Sequence, residues 1–89
     1  MIKSEFAKYI RERVMETWGV PELAESMRAS MIWTYRLVDN WNEDDIIEAA
    51  KWLQTWQEPR SMVQLWSAMD RWKWEKDKKT IKKSWQYAP

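Results

Sequence analysis

The chain has 89 residues, 45% of them hydrophobic and 33% charged, which bounds it to one globular domain with a single core. It holds nine tryptophans but no cysteine and no histidine. A disulfide framework is thereby excluded, and the residues that supply most nucleophiles, near-neutral proton shuttles and transition-metal ligands are missing.

The net charge of +1 conceals a polarity along the chain. Residues 1–59 carry 7 Lys/Arg against 11 Asp/Glu, net −4, whereas residues 60–89 carry 8 against 3, net +5. One glycine and three prolines leave few sites for tight turns, so the expected fold is all-α: a compact four-helix domain spanning residues 1–89. No run of 18 apolar residues exists, and the opening MIKSEFAKYI has no apolar h-region. The expected location is the cytoplasm, with no membrane partner.

The first helix is predicted over about 4–18, where Ile2, Phe6, Ile10, Val14 and Thr17 recur at spacings of three and four. Gly19 suits the left-handed position after a helix, Val20 the hydrophobic contact beyond it, and Pro21 the first position of a new helix. The second helix is accordingly predicted over about 21–38. Its second half is apolar nearly all round, through Ile32, Trp33, Tyr35 and Leu37, so it is expected to be the most buried of the four.

Asn42 is a good N-cap for a third helix over about 43–56, and Glu43, Asp44 and Asp45 fall in the first turn, where the helix dipole favours negative charge. Asp44 and Glu48 lie one turn apart and could serve an acid–base or metal site, but no ligand spacing surrounds them. The dipole reading is the simpler. Ile46, Ala49, Ala50, Leu53 and Trp56 make the expected buried stripe.

Ser61 caps a fourth helix over about 61–86, long, basic and rich in tryptophan. Met62, Leu65, Trp66, Met69 and Trp72 face the bundle, yet the positions that continue this stripe are Lys76, Lys79 and Lys83. Beyond Trp72 the apolar residues are Trp74, Ile81 and Trp85, on a face of their own. The helix is therefore expected either to bend between Trp74 and Thr80 or to project from the bundle with a new stripe.

Trp18, Trp33, Trp56, Trp66 and Trp72 fall on or beside buried stripes. Trp41, Trp74 and Trp85 do not, and with Ile81 they are the candidate anchors for a partner. The basic, aromatic tail also fits a nucleic-acid track through Lys73, Lys76, Lys79 and Lys83, although Glu75 and Asp77 interrupt it. No phosphate loop, nucleophile elbow or metal-ligand spacing appears, so neither an enzyme nor a cofactor is expected. The leading expectation is a non-catalytic module that binds a protein or a second copy of itself. Helical chains of this size often serve as regulators, inhibitors or adaptors of larger machines, including those of phages and mobile elements.

Overall fold

A computed structural model describes the backbone of residues 2–85 and the side chains of residues 2–78. It contains four helices, α1 (Lys3–Trp18), α2 (Met27–Asn40), α3 (Glu43–Gln54) and α4 (Met62–Trp85), and the described residues include no strand. The helices form a ring in which each packs chiefly on two neighbours: α1 on α2 and α3, and α4 on α3 and α2. The core fills its centre. Ile10, Val14 and Trp18 enter from α1, Leu37 from α2, Ile46, Ala50 and Leu53 from α3, and Met62, Leu65, Met69 and Trp72 from α4.

Local signals fix most of the junctions. Gly19 takes φ 67° and ψ 31°, and the N–H groups of Gly19 and Val20 return to the carbonyls of Glu16 and Met15. This pair of bonds is the Schellman ending, and it needs the positive φ that glycine tolerates best. Asn42 accepts from the Asp45 N–H at 2.8 Å and caps α3. At α4, Gln64 Oε1 accepts the N–H groups of Arg60 and Ser61 at 2.7 and 3.0 Å, while Ser61 Oγ accepts the Gln64 N–H at 3.3 Å. Ser61 and Gln64 thus form a capping box.

Pro21 does not open a helix. Residues 21–26 are irregular, and α2 starts at Met27 behind the N-cap Ser26, whose side chain accepts the Ala29 N–H at 3.2 Å. Tertiary contacts override the local proline signal here. Leu23 is buried in the core, the Ala24 N–H donates to the Arg60 carbonyl at 2.8 Å, and a Glu25 carboxylate oxygen accepts the Met62 N–H. The irregular segment therefore braces the start of α4.

Nor is α2 the most buried helix. Its fully buried positions are Ser30, Thr34 and Leu37, while Met27 and Ile32 lie exposed; α3, by contrast, buries Ile46, Ile47, Ala49, Ala50 and Leu53. Small polar residues on the inner side of α2 let α1 bring Arg11 into the seam. Arg11 donates through Nε to Ser30 Oγ at 2.7 Å, Ser30 Oγ donates to the Met27 carbonyl at 2.9 Å, and Thr34 Oγ1 donates to the Ser30 carbonyl at 2.6 Å. Among the described residues no buried side-chain polar atom lacks a hydrogen-bond partner. The seam is polar and satisfied, as a buried polar seam must be.

α4 is helical from Met62 to Trp85, without a break between Trp74 and Thr80. Its inner stripe ends at Trp72, and the described residues after it are exposed or half-buried. No helix among the described residues is long and apolar enough to cross a membrane.

Candidate functional site

The eight tryptophans whose side chains are described sort into three groups. Trp18 and Trp72 are buried; Trp33, Trp41, Trp52 and Trp66 are half-buried against the core; Trp56 and Trp74 are exposed, at 47% and 57%. Trp18 satisfies its indole N–H on the Ala50 carbonyl at 3.1 Å. Trp41, expected to be free of the core, is half-buried against it and packs edge-on to Trp72 with ring centroids 6.2 Å apart. Trp33 and Trp66 likewise meet each other, at 6.5 Å.

Trp56 moves in the opposite sense, from an expected core position to the surface. α3 ends at Gln54, and the N–H groups of Thr55 and Trp56 turn back to the carbonyls of Trp52 and Leu53. That turn takes Trp56 off the buried stripe. Its ring packs edge-on to Trp52 at 5.4 Å, and the Arg71 guanidinium of α4 lies over it, 5.2 Å from the ring centroid. Between them runs a groove of 380 Å³ with Leu53, Val63 and Ala68 as its apolar lining and Gln57, Gln64, Ser67 and Arg71 as its polar one.

One turn beyond Arg71, Trp74 stands on the outer side of α4, and Lys78 Nζ lies 4.8 Å from its ring centroid. Trp56 with Arg71 and Trp74 with Lys78 thus repeat one arrangement: an indole held against a cation. Such a contact is worth about 0.5–1 kcal/mol at an exposed site and holds both groups in place. Tryptophan and arginine are also the residue types over-represented among the energetic centres of protein interfaces.

The lysines expected to form a nucleic-acid track are placed differently. Lys73 pairs with Asp77 at 3.4 Å, and Lys76 pairs with Glu48 of α3 at 3.5 Å while lying 5.0 Å from the Trp72 ring centroid. The antiparallel α3–α4 hairpin brings the acidic start of α3 alongside the basic part of α4. Ile81, Trp85, Lys79 and Lys83 lie outside the residues whose side chains are described.

The acidic cluster does not assemble into a metal site: no group of three or more acidic side chains able to hold a metal ion occurs among the described residues. Glu43 is instead part of a clasp. Tyr9 Oη donates to its Oε2 at 2.8 Å, and Arg13, one turn further along α1, pairs with the same oxygen. The Tyr9 hydrogen bond first, and the Arg13 hydrogen bond second, hold the Glu43 carboxyl below the usual carboxylate range.

Comparison of the chain with protein-family models, with curated proteins and with solved structures finds no match in any of the three.

Proposed function

We propose that the chain is a non-catalytic protein-binding module, a small cytoplasmic regulator, inhibitor or adaptor, acting through the face that α3 and α4 share. The observation that carries this reading is the exposure of Trp56 and Trp74, each beside a cation of α4, with a groove of mixed apolar and polar lining next to the first. Large apolar surface left on a soluble chain marks an interface, and rings already held in place lose little freedom on binding. The nucleic-acid alternative is weakened by the ion pairs at Lys73 and Lys76, which place carboxylates beside two of the four cations such a track needs.

Selection of a displayed peptide library on the full chain tests the reading. The counter-selection uses a Trp56→Ala, Trp74→Ala variant that keeps the wild-type melting curve. Peptides enriched on the wild type should lose binding to the variant. Enrichment that ignores both substitutions, or a salt-sensitive shift of single- or double-stranded oligonucleotides in place of peptide binding, would overturn it.

A further inference from the structure

The charges on this face define what kind of partner fits it. Arg71 and Lys78 are seven residues apart on α4, so they lie on nearly one line along the helix, separated by about 10.5 Å. Neither forms an ion pair with another described residue, whereas Lys73 and Lys76 on the opposite side of the helix are engaged by Asp77 and Glu48. Arg71 is the one charged residue lining the groove. Asp70 and Glu75 flank the line on either side of the helix without pairing to it. The stacked cations are therefore oriented by Trp56 and Trp74 but not neutralised.

We infer that the face binds an amphipathic helix of a partner protein that carries carboxylates seven residues apart beside an apolar seam. The match is geometric. On such a helix, carboxylates at i and i+7 are separated by the same distance as Arg71 and Lys78, apolar residues at i+3 and i+4 fall between them, beside Trp74, and the turn beyond the Arg71-facing carboxylate reaches the Trp56 groove, whose α4 lining runs from Val63 to Arg71. A second copy of this chain docked face to face is a poor occupant, because a two-fold axis through the face would bring Arg71 and Lys78 against their own counterparts. This inference rests on the protein-binding reading above.

Two synthetic amphipathic helices test it, identical in their Leu seam but with Glu in one and Lys in the other at two positions seven apart. Each is titrated into the full chain. Dissociation constants are measured by calorimetry, and the indole N–H signals of Trp56 and Trp74 are followed by NMR. The Glu peptide should bind about tenfold more tightly at low salt, and the advantage should shrink as salt is raised. An Arg71→Glu, Lys78→Glu variant with unchanged circular dichroism should reverse the preference. Equal affinities, or a preference for the Lys peptide, with both indole signals still shifting would overturn the acidic-helix inference and leave the face as a binding surface. If neither peptide moves either signal, the face is not a helix-binding surface and the inference falls, while the broader reading is decided by the library selection above.

Discussion

The seam between α1 and α2 and the face shared by α3 and α4 both combine polar groups with apolar ones, yet only the first is completed by the chain itself. In the seam, Ser30 and Thr34 are fully buried, and every buried polar side-chain atom has a partner. On the face, indoles and cations hold one another at the surface and leave a groove of mixed lining open to solvent. The difference lies in side-chain size. Serine and threonine let two helices close on an arginine, whereas tryptophans at the end of α3 and on the outer side of α4 leave more surface than two helices cover.

The largest expected effect contrasts the two sides of α4. Leu65 is fully buried, so Leu65→Ala should cost about 2–5 kcal/mol in urea unfolding. Ser67, on the outer side, should tolerate alanine within about 0.5 kcal/mol. Comparable losses at both positions would mean that the outer side is not the open one.

Ser30→Ala probes the closed seam directly. It removes the acceptor of the buried Arg11 Nε–H, and an unsatisfied buried donor costs about 1–3 kcal/mol. A neutral result would show that the seam is held by packing rather than by its hydrogen bonds. Next in size is Gly19→Val, expected to lose somewhat more than about 1 kcal/mol by the same measurement. Apart from the glycine and its two chain neighbours, no heavy atom lies within 4 Å of where a Cβ would sit, so the loss reports the positive φ rather than a clash of the Cβ.

The smallest effect should come from the clasp joining α1 to α3, and it depends on pH. A carboxyl held below its unfolded value contributes fully above that value, about 4.3 for glutamate, and the contribution disappears as pH falls through the lower folded value. Glu43→Gln should therefore lower the melting temperature slightly at neutral pH. The gap from wild type should close as the solution is acidified below the ordinary glutamate range. A gap unchanged by acid would mean that the charge on Glu43 plays no part.

What was readable in the sequence was what short-range chemistry determines. Gly19, Asn42 and Ser61 act within four residues of themselves, and each sits where its signal placed it. Pro21 carried an equally good local signal that failed, because Leu23 is drawn into the core and Ala24 and Glu25 are drawn to the start of α4. Trp56 was misplaced by extending the period of α3 two residues past its end. Arg71 was missed altogether, since its neighbour Trp56 is 15 residues away and only the closed α3–α4 hairpin brings the two together. The spacing of Arg71 and Lys78 was legible; its meaning needed the tryptophans in space. Trp41 looked free because it lies between helices, and its partner Trp72 is likewise distant in the chain.

The bond from the Met62 N–H to Glu25 has a consequence for how the molecule opens. The first amides of a helix have no partner within it and ordinarily exchange their hydrogens with solvent soonest. In α4 the first such amide is closed by a carboxylate 37 residues earlier in the chain, from a segment with no regular structure of its own. Exchange at Met62 therefore requires the Glu25 carboxylate to leave as well, so this amide should exchange more slowly than an uncapped first-turn amide. A fragment beginning at α3 would lack that closure however well its capping box formed. The bond ties the first turn of α4 to the loop before α2, although they are remote in sequence.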